Sequence, residues 1–190
     1  MLSSITPLGE RGRQRRWGAT VTAYAVGSVV AGSTLGALLG LVPAVPARAA
    51  LVIVAVAAAV AAVADLRPAL LPTVRRQVNE DWLGVYRGWV CGAGFGLQLG
   101  LGVVTIVTTA AVYVVLVAAA VSGSAAAGAV VGGTFGLARA VPALLLGRVT
   151  TTERLVSLSR RLDRWAVPAR RTTVAVLCAV SAACAVAAVS

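Results

Sequence analysis

The polar residues with the most chemical potential lie in one apolar stretch, residues 88–121, which carries no charge. Gln98, Thr105 and Thr109 follow one another at steps of seven and four, which places them roughly on one face of a helix. Polar groups inside hydrocarbon need hydrogen-bond partners and often line a path or a cavity. The alternative is that the threonines bond to their own helix and that Gln98 ties two helices together. The candidates for a transport path are Gln98, Thr105, Thr108, Thr109 and Tyr113.

Arg139 is the only arginine that lies more than one turn inside an apolar stretch. It precedes Arg148 by nine residues, about 13 Å along a helix. A charge at that depth is costly unless it finds a partner or reaches the interface. Asp65 lies at the corresponding end of another apolar stretch, so we predict an intramembrane Asp65–Arg139 ion pair. The alternative role for Arg139 is a gate or a contact to an anionic substrate.

The remaining candidates, for redox chemistry, are the three cysteines Cys91, Cys178 and Cys184. They form no CxxC or metal-ligand spacing, and a lone cysteine in an apolar setting usually behaves as a small apolar residue. The chain has no histidine, which excludes every histidine-based catalytic or metal site. We therefore expect no catalytic residues, no metal and no cofactor, and we do not expect an enzyme.

The composition indicates the elements that must position these residues. Of the 190 residues, 59% are hydrophobic and 12% are charged, and the mean hydropathy is +0.91. Soluble domains contain about 45–50% apolar and about 25% charged residues. This departure excludes disorder, secreted disulfide scaffolds and most soluble enzymes. It predicts an all-α, polytopic membrane helix bundle.

Five stretches are long enough to cross a bilayer, which takes about 20 apolar residues. We expect a basic cytoplasmic segment, 1–16, followed by a single transmembrane domain, 17–190. The stretch 88–121 would span about 51 Å as one helix, so it should be tilted or interrupted near Gly100–Gly102. The predicted spans are 17–42, 49–71, 88–121, 124–146 and 172–190, with cytoplasmic segments at 72–87 and 147–171.

The charges give the orientation. All 17 basic residues are arginine, against six acids, and their abundance beside Ala, Val and Gly is typical of GC-rich bacterial genomes. With five spans and a cytoplasmic N-terminus, the outside holds Arg48 alone, as the positive-inside rule requires. We therefore expect a multi-pass protein of the bacterial inner membrane. Its expected partners are membrane lipid and a second copy or other membrane subunits, and not nucleic acid.

Small residues recur at every fourth position in three of the spans, which places each set on one helix face. Such ridges let helix backbones approach closely, so they predict tight packing of the first, third and fourth spans, within one chain or between two. The alternative is a seam along which helices slide. The glycines concerned are Gly32, Gly36 and Gly40, then Gly92, Gly96 and Gly100, then Gly128, Gly132 and Gly136.

The two interior cytoplasmic segments resemble each other. Each begins with an arginine and a Pro-Ala-Leu-Leu sequence, at Pro68 and at Pro142, and continues through a basic stretch to a tryptophan. One interpretation is a two-helix unit used twice in parallel, with a last helix added. The alternative is a chance similarity between two stretches rich in leucine and arginine. Leu155, Leu158 and Leu162 alternate with arginines, which predicts a short helix lying along the cytoplasmic surface.

The glycine-rich run from Cys91 to Gly102, followed by Thr105 and Thr108-Thr109, resembles the first helices in the halves of small bacterial transporters. The nearest are the cytochrome c biogenesis / thiol-disulfide interchange transmembrane family and its exporter-like relatives. The resemblance covers about one helix and implies transport of a solute or of reducing equivalents. Members of the thiol type carry a Pro-Cys in helix one and an inverted repeat, whereas the first span here has no cysteine.

Two classes of function follow from the sequence. The first is a small carrier that moves a solute or reducing equivalents along the polar stripe of the third span. The second is a non-catalytic membrane subunit or assembly factor, in which the glycine ridges and the arginine-rich surfaces hold partners. A water-accessible cavity at Gln98 and Thr105 would distinguish the first class from the second.

Overall fold

The computed structural model describes residues 16–67, 86–102, 109–145, 147 and 151–190. These residues form helices and no strand, so the all-helical fold class is confirmed for this part of the chain. Four of the helices, α1, α2, α5 and α6, contain stretches long and apolar enough to cross a membrane. The helices are α1 (Trp17–Leu39), α2 (Ala47–Leu66), α3 (Gly88–Gly100), α4 (Ala111–Val121), α5 (Ala125–Leu145) and α6 (Thr152–Val189).

Local sequence signals set several of the helix ends. Helix α2 begins directly after Pro46, whose ring suits a helix start. Ser124 precedes α5, and its hydroxyl accepts a hydrogen bond from the Ala127 N–H at 3.4 Å. Thr151 caps α6 in the same way, by accepting from the Arg154 N–H at 3.3 Å. These hydroxyls satisfy backbone donors that the first helical turn leaves unpaired.

Helix α1 packs against α5 along the glycine ridge of each helix. Gly32 lies against Gly132 and Gly36 against Gly128, so the two helices are antiparallel. At these positions an added Cβ would collide with a carbonyl oxygen of the other helix. The ridges of the first and fourth spans therefore face each other within one chain, with backbone against backbone.

The ridge of α3 packs on a neighbouring face of α1. Gly92 lies against the backbone of Thr20 and Gly96 against that of Tyr24, so α1 and α3 run parallel. Gly100, the last residue of α3, lies against Ser28. The predicted close packing of three glycine ridges thus appears as one unit built on α1.

The remaining helices form a second unit around α2, which packs against α6 and α4. The Ser181 hydroxyl donates to the Ala55 carbonyl at 2.8 Å, and Leu177 packs among Ala58 and Ala62. The residue numbers ascend along α6 as they descend along α2, so these helices are antiparallel. Val60 and Val63, on another side of α2, are about 60% exposed and fit a lipid-facing surface.

Each unit has its own hydrophobic cluster. We call α1, α3 and α5 the first helix body, and α2, α4 and α6 the second helix body. The main contact between them runs from α4 to α5 and α1. The buried residues of the cluster in the first body are Val21, Tyr24, Cys91, Phe95, Ala140 and Ala143. Those of the second are Ala58, Ala61, Ala62, Ala110, Val114 and Leu177.

One expectation about helix continuity is wrong. Residues 152–171 do not form a helix of their own, because α6 runs without interruption through Pro168 for 38 residues, about 57 Å. The change in hydropathy near Arg171 therefore does not mark a helix end. The two-helix repeat with a last helix added would make α1 with α2 one unit and the third span with α5 the other. Within the described residues α4 packs on α5, whereas α1 and α2 do not form a comparable contact, so the two units are not packed in the same way.

The two bodies offer matched tests of their stability. Ser28 on α1 donates to the Gly136 carbonyl at 2.8 Å, and Ser181 makes the equivalent bond in the second body. We expect Ser28→Ala and Ser181→Ala each to lower the free energy of unfolding in mixed micelles by about 1 kcal/mol. Ser157→Ala, at an exposed position on α6, is the control and should change nothing. An unfolding energy unchanged in Ser28→Ala would contradict the packing described for the first body.

Candidate functional site

The stretch 88–121 contains a break between α3 and α4 at the level of the middle of the bundle. Gly100 lies against Ser28, the central residue of α1. Gly102 has a positive φ of 74°, which favours glycine. A Cβ at Gly102 would lie 3.0 Å from the ring of Phe135 on α5 and 3.1 Å from the side chain of Val112 on α4. The break therefore lies where the two helix bodies meet, close to the interruption expected near Gly100–Gly102.

Asp65, near the end of α2, is 2% exposed and holds the start of α4. Its Oδ1 accepts from the Ala110 N–H at 2.6 Å, and its Oδ2 accepts from the Thr109 hydroxyl at 2.6 Å. The Thr109 Oγ1 in turn accepts from the Ala111 N–H at 3.2 Å. The carboxylate thus lies at the positive end of the α4 dipole, where a negative charge is favourable.

Arg139 has different partners from those predicted. Its guanidinium carbon lies 5.5 Å from the centroid of the Phe135 ring, within cation–π range. Its backbone carbonyl accepts from the Tyr24 hydroxyl at 3.4 Å. The structure places Arg139 in the first body and Asp65 in the second, and it does not bring them together as an ion pair. Arg139 instead contacts the Phe135 ring, and Asp65 accepts from the Ala110 amide and the Thr109 hydroxyl.

The predicted polar stripe is not one continuous helix face, because the break separates Gln98 from Thr109. Gln98 is half-buried on α3, and Tyr113 is half-buried beside the hydrophobic cluster of the second body. Among the predicted path residues that the structure describes, Thr109 hydrogen-bonds to Asp65. Thr105 and Thr108 lie outside the described residues. A spacing of seven and four predicts a shared face only where the helix continues between the residues.

The three cysteines are free and distributed over both bodies. Cys91 is buried in the first body, and its thiol donates to the Tyr86 carbonyl at 3.8 Å. Cys178 is exposed and Cys184 is half-buried, both on α6. The structure does not bring these residues together as a redox pair.

Two features of this region were not predicted from the sequence: Asp65 caps α4, and Phe135 lies at the break. A signal for the first was present: a threonine pair, 108–109, directly precedes the apolar run of α4, which is typical of a helix start. Nothing in the sequence indicated Phe135. The site contains a buried carboxylate, a hydroxyl and a helix start, all within the second body. These groups can hold a proton or a small cationic or hydrogen-bonding solute.

Comparison with known protein families, with curated proteins and with solved structures finds no match for this chain.

Proposed function

We propose that this protein is a small carrier of the cytoplasmic membrane, moving a solute past the break between α3 and α4. In this proposal the chain crosses the membrane five times, with its N-terminus in the cytoplasm, and α3 and α4 together make the third crossing. The arginine distribution supports this orientation. The directions of the helices support the alternation of crossings, since α5 runs opposite to α1, α3 runs parallel to α1, and α6 runs opposite to α2.

The observation that carries the proposal is the broken third span with Asp65 at the start of its second half. In many transporters, substrate and ion sites are formed by discontinuous helices near the bilayer midplane. A buried acid in a membrane span is itself a strong indication of a functional site, because burying it in an apolar surrounding is costly. Here both features coincide at one place.

The division into two helix bodies supports the same proposal. Each body has a hydrophobic cluster of its own, and α3 belongs to one body while α4 belongs to the other. Alternating access commonly works by rocking one bundle against another around a fixed site. A flexible connection at Gly102 would let the bodies tilt while each cluster stays intact.

The second candidate is a non-catalytic membrane subunit, and one observation favours it. The first part of α6, residues 152–171, is exposed along nearly its whole length and carries six of the arginines. An exposed helix surface of this length and charge is suited to binding a partner subunit. Purification in mild detergent with mass spectrometry separates the two candidates, because a stable hetero-complex supports the subunit and a single species supports the carrier.

The carrier proposal is tested by water access at Gln98. All three cysteines are first replaced by serine, then Gln98→Cys is introduced and the protein is reconstituted in liposomes. A charged, membrane-impermeant methanethiosulfonate reagent is applied from outside or loaded inside. We expect Gln98→Cys to react, because a carrier hydrates its path and the reagent attacks only a water-exposed thiolate.

Val63→Cys is the control for this experiment, since Val63 is 60% exposed on the outer face of α2 and should lie in hydrocarbon, where it stays unreactive. If Gln98→Cys is as inert as Val63→Cys from both sides, the bundle is solid there and the carrier proposal is wrong. A serine-substituted chain that still reacts at Gln98→Cys, with its fold intact, also excludes an essential role of the thiols in opening the path.

A further inference from the structure

The first part of α6 extends beyond the end of the helix on which α6 packs. Ser181 lies beside Ala55, and Leu177 lies beside Ala58, so the antiparallel register places Leu66, the last residue of α2, level with about Arg170. Residues 152–169, which we call the α6 extension, therefore project about 27 Å past α2. Within the described residues, the packing of α6 on α2 stops at this level.

The α6 extension exposes large apolar side chains. Leu162 is 52% exposed and Trp165 is 66% exposed, although both are residues that usually bury their surface. Together with Leu158 they follow steps of four and three, which places them on one face of the helix. Tryptophan is enriched where a protein meets the membrane–water interface. The extension is thus amphipathic, and its apolar face contains an interfacial anchor.

The charge of the region indicates the chemistry of its partner. The α6 extension and the two arginines that follow it, residues 152–171, together hold six arginines against Glu153 and Asp163. Their net charge is +4. Pairing two extensions from two copies would bring like charges together, whereas an anionic surface would neutralise them. Basic amphipathic helices next to a membrane span bind anionic lipid headgroups for this reason.

Pro168 lies at the junction between the extension and the apolar part of α6. It has no N–H to donate to the Arg164 carbonyl, so one helical hydrogen bond is missing there. Proline is the commonest cause of a sharp bend inside a helix. The extension can therefore bend at this point toward the plane of the membrane without unfolding.

We infer that the α6 extension docks on the membrane surface, with its apolar face in the interface and its arginines on anionic phospholipid headgroups. This inference needs α6 to cross the membrane but does not depend on the carrier proposal. It assigns to the chain a lipid-binding surface selective for negatively charged bilayers. Binding of the headgroups should weaken as salt screens the charges.

The test uses the full chain with its cysteines replaced and a spin label at Leu162→Cys. The protein is placed in nanodiscs of phosphatidylcholine alone, or of phosphatidylcholine and phosphatidylglycerol in equal parts. Power saturation with oxygen and with a polar nickel complex then reports the depth of the label. We expect the anionic discs to reduce nickel access several-fold and high salt to restore it. The Arg160→Gln, Arg161→Gln and Arg164→Gln triple variant should lose the difference between the lipids.

Ser157→Cys, on the arginine side of the extension, is the matched control and should stay accessible to nickel in both lipids. The inference is overturned if the label at Leu162→Cys has the same access in both lipids. It is also overturned if dipolar broadening shows two extensions paired, or if access falls only when an acidic protein is added.

Discussion

Replacing Gly132 with leucine is expected to destabilise the first helix body by about 3 kcal/mol, one of the two largest effects that we predict. A Cβ at this position would collide with the Gly32 carbonyl oxygen of α1. Carbonyl oxygens belong to the backbone and cannot rotate away as a side chain can, so the two helices must separate along the whole ridge. The free energy of unfolding in mixed micelles measures this loss. Gly132→Ala should also lower the free energy of unfolding, by a smaller amount.

Gly18 is the matched control, because an added Cβ there meets nothing within 4 Å. Gly18→Ala should leave stability unchanged or raise it by up to about 1 kcal/mol, since alanine is the better helix former. If Gly132→Ala and Gly18→Ala behave alike, close backbone packing does not hold α1 to α5. The comparison separates the effect of the ridge from the general effect of losing a glycine.

Asp65→Ala is expected to cost about 3 kcal/mol of unfolding free energy and to fray the first turn of α4. The substitution leaves the Thr109 hydroxyl and the Ala110 N–H without their acceptor, and each unsatisfied buried donor costs about 1–3 kcal/mol. Asp65→Asn keeps one oxygen acceptor and should cost less. Amide hydrogen exchange at Ala110 and Ala111 should rise in Asp65→Ala, which locates the effect at the break.

Asp163→Ala removes the same side chain from an exposed position on α6 and should change neither stability nor exchange in α4. Faster exchange confined to α6, or unchanged exchange at Ala110, would contradict the assignment of Asp65 as the cap of α4. An effect on Gln98→Cys reactivity in Asp65→Asn, at preserved stability, would link the cap to opening of the path.

Short-range patterns in the sequence predict much of the architecture. Spacing of four residues defines a helix face regardless of the partner, and the ridge glycines Gly32 and Gly132 do lie in contact. The excess length of 88–121 together with two glycines indicated an interruption, and α3 ends at Gly100. Both inferences depend only on helix geometry and on the thickness of the hydrocarbon core.

The partners of the charged groups were not predictable in the same way. Asp65 and Thr109 are 44 residues apart, and their contact depends on how α2 and α4 are rotated toward each other. Arg139 was predicted as the partner of Asp65 because it carries the opposite charge at a similar depth in its span. The depth of a residue does not determine which neighbouring helix its side chain faces. The continuity of α6 was missed for another reason. Helix formation through Pro168 depends on local propensity, whereas the spans were placed by hydropathy.

The order in which α1 meets its partners has a consequence for biogenesis. Ser28 and Gly136 contact each other across 108 positions of sequence, so α1 enters the membrane long before α5 is synthesised. Until then the glycine face of α1 presents bare backbone to lipid, which offers few dispersion contacts and no hydrogen bond to the Ser28 hydroxyl. The hairpin formed first, α1 with α2, is not a packed pair in the finished bundle. A nascent chain without α5 therefore lacks the contact that covers Gly32 and Gly36 of α1.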